Sequence, residues 1–231
     1  MPILYRDPNG ESAARDYLVA RAGRPDDALL AGDTGAWTGA SMIMWGPSPY
    51  RTWFRAVWNQ DGLHVRFDAE DDHPWHTRSD RNGALWNEEV VEIFLDPAGS
   101  GRDYAEVEIS PANVVCDLRI AEGWPALAGD PGWHWAGMET RVVSRVSPDG
   151  TGAGSWTAIA WLPWSGLRSL SDGAARRLPP HAGDTWRFNV FRIKRPGGSA
   201  SPEQGAIYAA WSVPDGPSFH VPAVFRDFVF A

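Results

Sequence analysis

The stretch LWNEEVVEIFLDP, Leu85 to Pro97, decides how this chain folds. From Val90 to Leu95 it alternates with a period of two, the signature of a β-strand. Val91, Ile93 and Leu95 go to one face, and Glu88, Val90, Glu92 and Phe94 to the other. Tyr104 to Ile109 repeats the pattern: Ala105, Val107 and Ile109 face one way, and Tyr104, Glu106 and Glu108 the other. The turn-forming Pro97–Gly101 between them predicts an antiparallel hairpin with several carboxylates gathered on one face.

Working outward, Leu63 to Phe67 alternates cleanly after an Asp61–Gly62 turn. Val114 to Ile120, Arg141 to Val146, Ser155 to Trp161, Trp186 to Ile193, Ile207 to Trp211 and Phe225 to Phe230 bring the total to about nine strands. Helical signals are sparse: one or two turns within Glu11 to Ala22, and a short turn at Pro163 to Leu167. The 24 Gly and 19 Pro suit many short strands joined by tight turns. No linker or repeat divides residues 1–231, so the expectation is an all-β, single-domain antiparallel β-sandwich.

Bulk properties narrow the partners. The net charge is −8 and the basic residues form no stripe, which argues against nucleic acid and against an anionic membrane surface. Cys116 is the only cysteine, so there is no intrachain disulfide and no thiolate metal cage. No run reaches the ~18 apolar residues of a spanning helix. MPILYRDPNGESAARDY lacks the basic start and apolar stretch of a secretory leader. The expected location is the cytoplasm, or outside the cell after trimming of a leader; oligomeric state is left open.

The chemistry-bearing residues cluster around the hairpin. Glu92, Glu106 and Glu108 form either an ordinary solvated sheet face or a polar floor that accepts hydrogen bonds from the hydroxyls of a sugar. Clustered acids need partners to remain ionised on desolvation, and Arg192 and Lys194 in FRIKRPGG fill that role if their strand shares the face. Trp86 opens the strand and either caps the core or offers its indole to the apolar face of a pyranose. Trp75 is the next candidate platform, and Trp124, Trp133 and Trp135 form a rim or pack into the core.

Other chemistries have weaker support. GxSxG, HExxH and phosphate-loop motifs are absent. Glu92 paired with Glu106 or Glu108 offers the two carboxyls of a glycoside hydrolase, an alternative to simple binding. A protein-contact sandwich with a decayed sugar site is a further alternative. His73 and His76, with Asp71 and Asp72, are the best metal guess among the histidines. For calcium the candidates are Asp96 and Asp103 in DPAGSGRD, with Asp68, Asp71 and Asp72 as a second acidic loop.

The ordered set GDTGAW, LHVRFDAEDDHPW, WNEEVVEIFLDP, YAEVEISPANVVCDLRI, SWTAIAWLPWSGL, GDTWRFNVFRIKRPGG and AAWSVPDGPSFHVPAVFRDFVF resembles the family 9 carbohydrate-binding modules, from about Tyr17 to Phe230. The resemblance implies a jelly-roll-like β-sandwich, with structural calcium in some members and no cofactor required. It also implies an oligo- or polysaccharide ligand held between two tryptophans. The first maps to Trp86 and a hydrogen-bonding acid to Glu92. Where the second tryptophan belongs this chain has Phe219–His220, and Glu108 and Ser110 replace a family arginine and asparagine. The expected binding set is therefore Trp86, Glu92, Glu106, Glu108, Arg192 and His220.

Overall fold

A computed structural model describes residues 4–5, 16–121, 133–145, 154–170 and 177–231. Trp124, most of the anticipated helical turn before Asp16, and Val146 lie outside the described residues.

In chain order the strands are β1 (Leu4–Tyr5), β2 (Tyr17–Arg21), β3 (Met42–Trp45), β4 (Thr52–Trp58), β5 (Gly62–Glu70), β6 (Val90–Asp96) and β7 (Asp103–Ile109). They continue with β8 (Val115–Ala121), β9 (Glu139–Ser144), β10 (Ser155–Pro163), β11 (Thr185–Lys194), β12 (Ile207–Ala210) and β13 (Arg226–Phe230). A short helix, Asp26–Leu30, and several single 3₁₀ turns complete the described elements. All nine expected strands are present within a few residues of their anticipated ends.

The strands pair as one curled sheet that folds over on itself. The order β8-β7-β6-β11-β13, with β12 beside β11, makes one layer; β4-β5-β10-β9, with β3 beside β4, makes the other. Strand β2 joins them, running parallel both to β13 and to β4. The result is the anticipated all-β sandwich.

Between the layers, Val91, Ile93 and Leu95 of β6 and Ala105, Val107 and Ile109 of β7 pack with Phe54, Phe67, Trp156 and Phe188 in the main core. Burial of each large side chain stabilises the fold by roughly 1.5–3 kcal/mol. The opposite face of β6 and β7 is covered as well. Val90, Phe94, Tyr104 and Cys116 form a second apolar cluster with Phe191 of β11, roofed by Phe219 and Phe225. Both faces of this hairpin are therefore dry, which the alternation of apolar and acidic residues did not suggest.

One local expectation is overturned. The segment from Tyr17 to Arg21 is a strand rather than part of a helical turn. The Tyr17 ring lies 5.4 Å from that of Phe54 and stacks on Phe228 at 5.6 Å, while its hydroxyl donates to the Ser41 carbonyl at 2.6 Å and accepts the Ala56 N–H at 2.7 Å. These tertiary contacts, with β-branched Val19 also in the core, outweigh the weak local helix preference.

Candidate carboxylate site

The β6–β7 register sets Glu92 opposite Glu108 and Phe94 opposite Glu106. Opposed residues share a face, so the glutamates converge: one carboxylate oxygen from each lies within 4.8 Å of the other two. Relative exposures are 2 % for Glu92, 4 % for Glu106 and 0 % for Glu108, so this is no solvated sheet face. The roof is responsible. Phe219 stacks on Phe191 at 4.3 Å, and the His220 ring lies 5.0 Å from that of Phe94.

Burial among like charges has a large electrostatic effect. Desolvation and the neighbouring Glu106 hold Glu92 well above the usual carboxylate range, and desolvation with Glu92 and Glu106 does the same to Glu108. The Trp86 backbone N–H offsets only part of this at Glu108. Desolvation lifts Glu106 to about 7, moderated by its contact with the Glu108 carboxyl. Raised in this way, Glu92 and Glu108 favour the neutral form, which donates as well as accepts hydrogen bonds. Four oxygens, Glu92 Oε1, Glu106 Oε2 and both of Glu108, meet no hydrogen-bond partner.

Two side chains flank the cluster. At the Glu108 end, Trp86 sits in the 3₁₀ turn Leu85–Asn87, whose buried Leu85 anchors it. The Trp86 carbonyl accepts from Arg195 Nη2 at 3.0 Å, and its side chain projects outward; among the exposed large apolar side chains of the described residues it is the one aromatic. At the Glu106 end, His220 Nδ1 and the Tyr104 hydroxyl are 2.8 Å apart, and His220 Nε2 is 3.8 Å from Glu106. Desolvation pulls the His220 pKa down to about 4, so the imidazole is neutral at physiological pH.

Arg192 does not join this group. It lies opposite Val91 and Ala209, which face the main core, so it points between the layers. Its Nη2 is 2.6 Å from Asp71, and its guanidinium lies over the Trp156 ring at 5.2 Å. Lys194, two residues on, takes the same face and bridges Asp71 at 2.7 Å and Glu89 at 2.8 Å. Asp71 is held below the usual range because Arg192 and Lys194 outweigh its desolvation. Glu89 is pushed up to about 8 by burial and by the Asp71 charge, in spite of Lys194. The two cations thus neutralise a separate buried network that ties the loop after β5 to β11.

Several other sequence-predicted residues are committed elsewhere. Trp75 is buried, with Nε1 donating to the Arg195 carbonyl at 2.8 Å, so it is no surface platform. Trp133 and Trp135 belong to the main core. The calcium candidates do not supply an open ligand set: Asp96 accepts the Ala98 and Gly101 amides at 3.0 and 2.6 Å, and Asp103 pairs with Arg119 at 2.7 Å. Asp68 is held by Arg55, Arg66 and Thr157, and Asp71 by the network above, which leaves His73 and His76 without an available acid from either. On the outer face of the second layer, Trp37, Trp53, Arg55, Arg66 and Asp68 line an open hollow of about 490 Å³ that sequence reasoning had not singled out.

Residues that sequence reasoning missed include Glu89, Tyr104 and Arg195. Arg195 anchors the Trp86 turn through the carbonyls of Trp86 and Glu88. The one available signal was the run of cations from Arg192 to Arg195, too dense for a surface strand of an acidic chain.

With fold and site in view, the class is a β-sandwich of the kind built by family 9 carbohydrate-binding modules. Residues 33–115 match the model of the family described as carbohydrate family 9 binding domain-like. Among curated proteins, the chain is 27 % identical over 197 residues to an "Extracellular protein" of Arthroderma benhamiae, covering 80 % of each chain. Among solved structures, it superposes on a candidate carbohydrate-binding protein of Bacteroides uniformis with a TM-score of 0.70 at 17 % identity, covering 94 % of this chain and 99 % of that one. A family 9 module of Caldicellulosiruptor kristjanssonii solved with glucose gives 0.60 at 14 % identity, covering 94 % and 96 %. The same source's module solved with cellotriose gives 0.62 at 14 %, covering 94 % and 93 %. The expected likeness to family 9 modules therefore holds, in sequence over residues 33–115 and in fold over most of the chain.

Proposed function

We propose that this chain binds carbohydrate without cleaving it, on the outer face of the β6–β7 hairpin between Trp86 and His220. The observation that carries the reading is the outward Trp86 ring, fixed from behind by Arg195, at the edge of the Glu92–Glu106–Glu108 group. An indole presented this way suits the C–H face of a pyranose, and neutral or charged carboxyls beside it suit its hydroxyls. The likeness to modules solved with glucose and cellotriose supports a glucose-type ligand.

Arg192 is not one of the polar contacts in this reading, because it faces the core. His220 takes the place of the second aromatic wall, oriented by Tyr104. Trp86 is the first contact, since the acids lie beneath the roof.

Binding is favoured over hydrolysis by the burial of the acids beside an exposed Trp86. A retaining pair needs carboxyls about 5–5.5 Å apart and an inverting pair about 6.5–9.5 Å, with room for the glycosidic bond between them. Here all three acids are closed to solvent, which leaves no such room.

The test is a glycan-array screen followed by calorimetry on any ligand found, with the Trp86→Ala variant in parallel. Binding that disappears in a variant that still melts cooperatively supports the reading. Binding that survives in the folded variant moves the site elsewhere, and the hollow beside Trp53 is then the next place to examine.

A further inference from the structure

The buried acids of this protein divide into two groups. Asp71 has Arg192 and Lys194; Glu89 has Lys194 and the Arg195 N–H; Glu88 has the Thr77 and Arg78 amides; Asp96 has two backbone amides; Asp117 has Arg81 and the Trp135 N–H. Among the described residues, Glu92, Glu106 and Glu108 are buried together with no Arg or Lys partner, and four of their oxygens have no hydrogen-bond partner. Glu108 is the extreme case: it is fully buried, and the nearby Trp86 N–H and Glu106 carboxyl close no well-formed hydrogen bond to either of its oxygens. A fold that matches each other buried carboxylate to a positive group or a donor has left one site where the partner is not part of the described protein.

We propose that Glu92, Glu106 and Glu108 ligate a divalent metal ion, with His220 Nε2 at the rim of the same site. The geometry suits it. Ligand atoms bound to one ion at ~2.0–2.6 Å lie roughly 3–5 Å from one another. The three carboxylate oxygens fall within 4.8 Å of each other, and His220 Nε2 is 3.8 Å from Glu106. When His220 Nδ1 carries its proton toward the Tyr104 oxygen, Nε2 presents its lone pair, the arrangement usual for a metal-bound imidazole steadied by an outer partner. Carboxylates with one imidazole suit manganese or zinc; the carboxylates alone suit calcium. Metal binding requires carboxylate ligands, so an ion here competes with protons for the same oxygens. The site is distinct from the Asp96–Asp103 loop and needs no carbohydrate.

The test is calorimetry on the metal-stripped full chain at pH 7, titrated separately with Mn²⁺ and Ca²⁺, and repeated in buffers of different ionisation enthalpy. The expected result is one ion per chain for at least one of the two metals, with a buffer-dependent heat that reports proton release. Glu108→Gln and Glu92→Gln, each checked for an unchanged far-ultraviolet spectrum, should each weaken binding at least tenfold. Neither metal binding saturably to the folded chain overturns the proposal. So does undiminished affinity in the folded Gln variants, which places any bound ion elsewhere. Because no sugar is present, failure here leaves the carbohydrate reading standing, and an empty glycan screen leaves this one standing.

Discussion

Arg192 faces Val91 across the β6–β11 pair, and this single register relation decides that its guanidinium meets Asp71 between the layers instead of Glu92 outside them. The sandwich therefore contains a buried ion network in addition to its aromatic core. Asp71→Asn leaves Arg192 and Lys194 short of a counter-charge in a dry site, and should cost about 3–5 kcal/mol in urea unfolding. Arg192→Met should leave carbohydrate affinity per folded molecule unchanged. A loss of affinity in a folded Arg192→Met protein would contradict the placement.

The glutamate cluster should make metal-free stability fall as pH rises. Glu106 is raised in the folded state, to about 7 from an ordinary 4.5, so the folded form holds its proton more tightly than the unfolded one. Its stabilising contribution is complete below about pH 4.5 and is lost as pH climbs through 7, amounting to on the order of 3 kcal/mol. His220 acts in the opposite sense between about pH 4 and 6.5, because its folded pKa is depressed. Tyr104 and Cys116, both pushed up by burial first of all, stay neutral throughout this range. Urea melts in metal-free buffer at pH 6.5 and 8 should show the fall, and Glu106→Gln should reduce it, leaving the share of Glu89, whose carboxyl is also raised, to about 8. A wild-type slope of the opposite sign would contradict the cluster's assigned charge state.

The two tryptophans that the sequence offered as platforms should separate on mutation. Trp86→Ala should shift the melting temperature by no more than ~2 °C, since its ring is largely outside the core. Trp75→Ala removes a buried ring and its bond to the Arg195 carbonyl, and should cost about 3–5 kcal/mol. Paired thermal and denaturant melts distinguish the two.

Cys116 should be silent to thiol reagents in the native state. It is fully buried in the second apolar cluster, and burial with the nearby Glu108 and Glu106 pushes its thiol up. Modification by a disulfide reagent at pH 8 should proceed only as fast as the chain opens, and should accelerate in urea in step with unfolding. A fast native-state reaction would show that the roof over β7 and β8 opens readily.

Much of the fold was legible because β6, β7, β5, β10 and β11 each carry a clean period-two pattern. β3 and β4 were missed: MIMW leaves Met42 and Met44 exposed, and TWFRAVW is half-buried on its second face, so neither shows a strict alternation. The convergence of Glu92, Glu106 and Glu108 was readable from the hairpin, but their burial was not, because it comes from a roof more than a hundred residues downstream around Phe219. The side taken by Arg192 was equally hidden. It depends on the register between β6 and β11, and a one-residue shift there would have turned it to the other face.

Strand β2 is the seam of the molecule, and the seam joins an early strand to the last one described. It holds β13 on one edge and β4 on the other, while the Ala231 amide donates to the Val19 carbonyl at 2.9 Å and Trp58 Nε1 to the Ala231 carbonyl at 3.0 Å. Closure therefore waits until β13 has been synthesised. Until then a nascent chain presents the unpaired edge of β2, together with the aromatic core that β13 finally covers. Such a chain is vulnerable to edge-to-edge association until then, and its yield in the cell should depend more on chaperone supply than the stability of the finished sandwich would indicate.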